Sequence, residues 1–152
     1  MRFLYAFDLS MSNTGVAIFS LQGELIHATS IATDAKDTHG LRLAYIAGKL
    51  QNLMMKYPPE IVVLERAFQR FNTSTAVLYR VHGVVNYLFA LYPQIYYAPK
   101  HIKACLVGGN ATKKMVREKV EQMFNVEFEN EDESDACAVG ATYFINNELL
   151  HR

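Results

Sequence analysis

Two acidic residues stand at the ends of short apolar segments that have the pattern of buried strands. The run from Phe3 to Phe7 ends in Asp8, and the run from Ile61 to Leu64 ends in Glu65. In an open α/β sheet, ligands bind beyond the carboxyl ends of the strands, where both carboxylates are expected. One acid in such a position is more often a helix cap or part of a loop salt bridge. Two acids from different strands favour a functional site.

A third acidic segment, Asp132-Glu133-Ser134-Asp135, leads into a run of small apolar residues. Asp132 and Asp135 are three positions apart and therefore share one face of a helix. An acidic first turn that complements the helix dipole is one interpretation, and it explains Glu131 and Glu133. It explains Asp135 less well, because core-like residues follow at once and a buried charge needs a partner or a metal ion.

The four carboxylates of Asp8, Glu65, Asp132 and Asp135 have no histidine or cysteine among them. Oxygen ligands of this kind select a hard cation, Mg²⁺ or Mn²⁺. Such clusters can hold two ions about 4 Å apart and run the in-line attack of water on a phosphodiester. The residues therefore predict metal-dependent hydrolysis of a phosphodiester.

The elements that must position these acids follow a regular order. Gln22-Gly23 separates two strand-like runs and predicts an antiparallel hairpin. Apolar residues recur at helical spacing from about Thr38 to Tyr57, and Pro58-Pro59 ends that helix. The full prediction is strands at 3–7, 16–21, 25–31, 61–64 and 95–98, and helices at 38–57, 76–91, 113–124 and 132–147. A hairpin that leads into crossover units predicts an α/β sheet with an antiparallel edge.

The segment from Ala76 to Leu91 is apolar on almost every side. A helix of this kind is either fully buried or lies in a subunit interface.

The formal net charge is zero, but the charges are segregated along the chain. Residues 66–117 contain eight basic residues and no acidic one, whereas residues 118–135 contain eight acidic residues and one basic residue. Aromatic residues are interleaved with the bases, and bases with stacking rings are typical of a nucleic-acid surface. The alternative is two solvated faces that pair with each other. The bases proposed to contact DNA are Arg66, Arg70, Lys100, Lys103, Lys113 and Lys114.

A length of 152 residues predicts a single domain, residues 1–152, large enough to bury a core without disulfides or a structural metal. Cys105 and Cys137 form no CxxC pair and no spacing that suits zinc. The apolar run before Asp8 is too short for the core of a signal peptide. The longest uncharged run, Val81 to Pro99, is a poor membrane span. We expect a cytoplasmic protein with no membrane contact and no small-molecule cofactor.

The order of the motifs resembles the RuvC family of Holliday junction resolvases over nearly the whole chain. The motifs that carry this resemblance are the strand ending in Asp8 with Thr14-Gly15 after it, Glu65-Arg66-Ala67-Phe68, Lys103 with Val107-Gly108, Ala111-Thr112-Lys113, and Asp132-Glu133-Ser134-Asp135-Ala136. The resemblance implies a ribonuclease H-like fold, with a central mixed five-stranded sheet of three antiparallel and then parallel strands, flanked by helices.

The resemblance also implies roles for particular residues. Asp8, Glu65, Asp132 and Asp135 would be the metal-binding catalytic tetrad, with two Mg²⁺ ions for which Mn²⁺ substitutes. Lys103 and Lys113 would lie near the scissile phosphate, with Lys113 offsetting its developing charge. Phe68 would engage unstacked bases, and the helix near Thr73–Leu91 would form a homodimer. The implied activity is resolution of four-way DNA junctions by paired symmetric nicks, in a bacterial or phage-infected cell.

Two departures from the family pattern affect the site. Leu9-Ser10 follow the first aspartate where the family has Pro-Gly, and the glycine loop before Ala111 is about one residue shorter. The second departure leaves open whether Lys113 or Lys114 is the active-site lysine.

Other functions remain possible from the sequence. The same tetrad would serve a broader branched-DNA nuclease or a nuclease that acts on RNA or RNA–DNA hybrids, since the metal chemistry is shared. A junction-binding protein without catalysis is a third possibility. An ATP-binding module could use Asp8 with the Ser/Thr-rich turn from Ser10 to Thr14, although 152 residues leave little room for it.

Overall fold

The computed structural model describes residues 1–67 and 73–151. Five strands and five helices lie in these ranges. In chain order they are β1 (Phe3–Asp8), β2 (Asn13–Ser20), β3 (Leu25–Ala32), α1 (His39–Lys56), β4 (Pro59–Glu65), α2 (Thr73–Leu88), β5 (Gln94–Tyr97), α3 (Pro99–Leu106), α4 (Lys113–Phe124) and α5 (Glu131–Asn146).

The strands form one mixed sheet in the order β3-β2-β1-β4-β5. β1 pairs antiparallel with β2 and parallel with β4, so it lies at the centre of the sheet. β2 pairs antiparallel with β3, and β4 pairs parallel with β5. This is the predicted arrangement of three antiparallel strands followed by parallel ones, and it is the sheet of the ribonuclease H-like fold.

Helices cover both faces of the sheet, which explains the continuous apolar runs of β1 and β4. α5 lies on β1 and β2, with α3 and α4 beside it, around a core that includes Leu4, Phe19 and Phe144. α1 and α2 pack with each other on the other face, around Tyr5 and Phe89.

α5 lies unusually close to the sheet because two glycines leave room for it. A Cβ on Gly140 of α5 would be 2.2 Å from the ring of Phe19. A Cβ on Gly15 of β2 would be 2.0 Å from the backbone oxygen of Asp132. A larger side chain at Gly15 would push the acidic end of α5 away from β2, and one at Gly140 would push away the second half of the helix.

One helix was absent from the predicted order. α3 begins at Pro99 and has only eight residues, and its Lys100, His101 and Lys103 obscure the apolar periodicity. The predicted hairpin, the first helix and the acidic helix are all confirmed, with bounds that shift by a few residues. Among the described residues, no helix is long and apolar enough to cross a membrane.

Candidate active site

The sheet brings Asp8 and Glu65 to the same edge. Phe7 is paired with Leu64 in the parallel ladder of β1 and β4, so the acid that follows each of them ends a neighbouring strand. Both acids are half-buried, whereas the apolar residues before them are fully buried. This position beyond the carboxyl ends of parallel strands is where α/β sheets bind ligands.

The N-terminus of α5 brings the other two acids to this edge. Asn130 caps the helix, because its side-chain oxygen accepts a hydrogen bond from the Glu133 N–H at 3.0 Å. Its Nδ2 donates to Ser30 Oγ at 2.9 Å, which ties the cap to β3. Asp132 and Asp135 follow in the first turns of the helix, and Asp135 keeps 25 % of its side chain exposed.

The four acids are close enough to act on one another electrostatically. Burial, and after it the negative charges of Asp135, Glu65 and Asp132 in that order of importance, together raise the pKa of Asp8 to about 8. Burial also raises the pKa of Glu65, with a contribution from Asp135. The pKa of Asp135 is raised by burial as well. A cluster whose charged form is disfavoured to this extent is typical of a site that receives a cation.

Two lysines partly offset this negative charge. Lys113 Nζ lies 3.8 Å from Asp135 Oδ2. Its positive charge partly opposes the rise in the pKa values of Asp8, Glu65 and Asp135. Lys103 of α3 also lowers the pKa of Glu65. Lys114 pairs instead with Glu118, one turn along α4, at 4.0 Å. Of the two adjacent lysines, Lys113 is therefore the one that faces the acids.

Two of the remaining predicted DNA contacts, Arg66 and Lys100, lie just after the ends of β4 and β5. Arg66 follows Glu65 and has an exposed side chain. Its backbone N–H donates a hydrogen bond to the carbonyl oxygen of Tyr97 at 2.7 Å. Lys100 is exposed in the first turn of α3. Phe68 and Arg70 lie outside the described residues.

The donor set fits a hard divalent cation, because it consists of carboxylates from three elements on one sheet edge. Within residues 1–67 and 73–151, no three Asp, Glu, His or Cys side chains converge closely enough to enclose an ion as they stand. Mutual repulsion of four like charges and the ion pair with Lys113 both oppose such convergence.

Asn13 is a site residue that the sequence interpretation missed. Its Nδ2 donates a hydrogen bond to Asp132 Oδ2 across 119 positions of sequence. In the sequence, Asn13 is simply an amide residue just before Thr14-Gly15. An asparagine in such a position is equally typical of an ordinary turn.

Comparison with known proteins identifies the family of the chain. The family model described as crossover junction endodeoxyribonuclease RuvC matches residues 6–143. A RuvC of Orientia tsutsugamushi (strain Ikeda) is 29% identical over 150 residues, which cover 93% of this chain and 94% of that one. A RuvC of Ehrlichia canis (strain Jake) is 32% identical over 149 residues, which cover 92% of this chain and 96% of the relative.

Among solved structures, Thermus thermophilus RuvC superposes with a TM-score of 0.83 at 21% identity, over 97% of this chain and 96% of that one. The same TM-score is found for T. thermophilus RuvC in complex with a Holliday junction substrate, at 17% identity over 98% and 96% of the two chains. These likenesses establish the fold.

The sheet order defines an α/β domain of the ribonuclease H-like fold class. Within that class, the chain belongs to the family of crossover junction endodeoxyribonuclease RuvC.

Proposed function

We propose that this protein is a divalent-metal-dependent endonuclease that resolves four-way DNA junctions by paired symmetric nicks. The observation that carries the proposal is the meeting of Asp8, Glu65 and the acids of α5 at one sheet edge, with Lys113 beside them. The named activity of the relatives at about 30% identity supports the same reaction and substrate.

The four carboxylates of Asp8, Glu65, Asp132 and Asp135 would hold the metal, which we propose to be two Mg²⁺ ions with Mn²⁺ as a substitute. Bound ions of this kind activate water and stabilise the leaving oxygen in phosphodiester hydrolysis. Asp8, Glu65 and Asp135 are the main ligands in this proposal, and Asp132 helps to place one ion or the water. Lys113 offsets negative charge on the phosphate.

The bases that flank the site would hold the DNA backbone. Arg66, Lys100 and Lys103 lie on elements that end or begin at the acidic edge, so they can contact phosphates on either side of the scissile bond. In this proposal Arg70 and Lys114 also contact the DNA backbone, and Phe68 stacks on unpaired bases. Binding through phosphates should weaken steeply as salt rises.

The exposed face of α2 would form a homodimer. A cavity of about 530 Å³ lies between α1 and α2 and is lined mainly by apolar groups, among them Leu43, Val84 and Leu88. Tyr87 stands beside it with 81% of its surface exposed. A four-way junction has two-fold symmetry, so a two-fold dimer with two sites matches paired nicking. The place of action would be the cytoplasm of a bacterial or phage-infected cell.

The test uses three synthetic substrates, a four-way junction, a Y-shaped fork and a linear duplex, each with Mg²⁺, with Mn²⁺ or with EDTA. We expect paired symmetric nicks in the junction alone and no nicks in EDTA. Equal cleavage of the fork would assign a broader branched-DNA nuclease. Full activity in EDTA would contradict the metal site.

A further inference from the structure

Asn13, the first residue of β2, has one side-chain atom engaged at the acidic edge and one unused. Its Nδ2 donates to Asp132 Oδ2. Its Oδ1 is excluded from solvent and has no hydrogen-bond partner among the described residues. A buried acceptor left unpaired costs about 1–3 kcal/mol, so a purely structural residue at this position should have been satisfied or apolar.

The chain around Asn13 is fixed by its own hydrogen bonds. Ser10 Oγ donates to the Asn13 carbonyl at 2.8 Å and accepts from the Asn13 N–H at 2.9 Å. Thr14 Oγ1 donates to the Ser10 carbonyl at 2.7 Å. Because the backbone on both sides of Asn13 is held in this way, its amide reaches Asp132 from a preorganised position.

The chemistry of the amide determines which atom faces Asp132. A carboxylate accepts hydrogen bonds and repels a carbonyl oxygen, so the amide nitrogen must face Asp132 and Oδ1 must face elsewhere. Beside a cluster of acids, the partner that suits a free oxygen is a hydrogen-bond donor or a cation.

Attachment of α5 to the sheet does not require this hydrogen bond. Gly15 already allows the backbone of Asp132 to lie against β2, and Asn130 already caps α5 and bonds to Ser30. The contact between Asn13 and Asp132 adds control of the orientation of one carboxylate.

We propose that Asn13 is a positioning residue that fixes the Asp132 carboxylate for metal binding. This inference rests on the proposed function, because it assumes that Asp132 is a metal ligand. Asn13 Nδ2 would hold one carboxylate oxygen of Asp132 and leave the other for the cation. The residue belongs to the turn in which Leu9-Ser10 replace the Pro-Gly of the family.

The test measures Mn²⁺ binding by isothermal titration calorimetry in the wild-type protein, Asn13→Ala and Asn130→Ala. Loss of an outer-shell partner of this kind typically lowers metal affinity by about 10- to 100-fold. We expect Asn13→Ala to weaken Mn²⁺ binding by about tenfold and to raise the Mg²⁺ concentration for half-maximal junction nicking to a similar extent, with a smaller effect on the rate at saturation. Asn130→Ala is the matched control, expected to lower the melting temperature without changing the Mn²⁺ dissociation constant.

A second variant, Asn13→Asp, keeps the size of the side chain but replaces the donor with an acceptor. It should melt at a lower temperature than wild type in EDTA, because another carboxylate then faces Asp132. It should also show a larger rise in melting temperature on addition of Mn²⁺, because the cation neutralises that repulsion.

Wild-type Mn²⁺ affinity in Asn13→Ala would overturn the inference, as would equal loss of affinity in Asn13→Ala and Asn130→Ala. If wild type bound no Mn²⁺, or if Asp8→Asn bound it as tightly as wild type, the metal site of the proposed function would fail instead.

Discussion

Helices α2 and α5 have the same length of 16 residues and opposite relations to the fold. α5 begins with four acidic residues among its first five, yet ten of its residues are buried. α2 has a single charged residue, Arg80, and only three of its residues are buried. From composition alone, α2 would be expected to be the more buried helix and α5 the more exposed one. The difference indicates that α5 completes its packing within one chain, whereas α2 presents an apolar face that a second chain can cover.

The largest expected effect concerns the charge balance at the acidic end of α5. Lys113→Ala should lower junction nicking by about 100-fold or more, the scale seen when a charge-stabilising group is removed. Lys114→Ala should keep nicking within a few-fold of wild type, since Lys114 pairs with Glu118. Single-turnover gel assays at saturating Mg²⁺ make the comparison. Equal losses in the two variants would show that the lysines act only through general attraction of DNA.

A change on α2 should separate assembly from folding. Val84→Asp places a charge in the groove between α1 and α2 and should convert the protein to a monomer, with loss of paired nicking. Analytical ultracentrifugation at micromolar concentration measures this. Met55→Asp is the control, because Met55 of α1 is 83% exposed and does not line the groove. A Val84→Asp protein that remains a dimer would place the interface elsewhere.

One glycine substitution in each helix should show that α5 is packed more tightly than α2. Gly140→Ala sets a methyl group against the buried ring of Phe19 and should cost about 1–3 kcal/mol in the free energy of unfolding. Gly83→Ala on α2 meets no atom of another element within 4 Å among residues 1–67 and 73–151, and it should leave folding intact. Urea denaturation followed by circular dichroism measures both. Comparable losses would mean that the two helices are equally confined.

The smallest expected effect is a pH dependence confined to the acidic edge. In the folded protein the pKa of Asp8 is raised to about 8 from its ordinary value of 3.8, so between these pH values the folded state holds a proton that the unfolded state has lost. The free energy of unfolding in EDTA should therefore fall as pH rises through this window, by at most about 1.4 kcal/mol per unit for one proton. Urea denaturation at pH 6 and 7 tests the sign. Asp8→Asn should flatten the slope, and an increase in stability with pH would be the opposite result.

Local patterns in the sequence were sufficient to predict most of the elements along the chain and the acids that end two strands, and the family resemblance implied the mixed five-stranded sheet. Apolar runs that end in Asp8 and Glu65 define buried strands, and the hairpin and crossover units then bring both acids to one edge. The choice between Lys113 and Lys114 was not predictable, since it depends on the rotation of α4 relative to α5. The contact of Asn13 with Asp132 was also hidden, because it joins residues that no local periodicity relates.

Helix α3 could not be predicted from the sequence for a different reason. Its eight residues include three with basic or imidazole side chains, so the two buried residues Ile102 and Leu106 were too few to reveal a helical period.

The most direct test of the acidic edge compares Asp8→Asn with wild type in junction binding and junction nicking, each in Mg²⁺. Removing one negative charge does not weaken contacts with phosphates, so the variant should bind the four-way junction at least as tightly as wild type. Its paired nicks should disappear, because the proposed metal site has lost one of its carboxylates. Nicking at the wild-type rate, or loss of binding together with nicking, would contradict the assignment of Asp8 to a metal-dependent catalytic site.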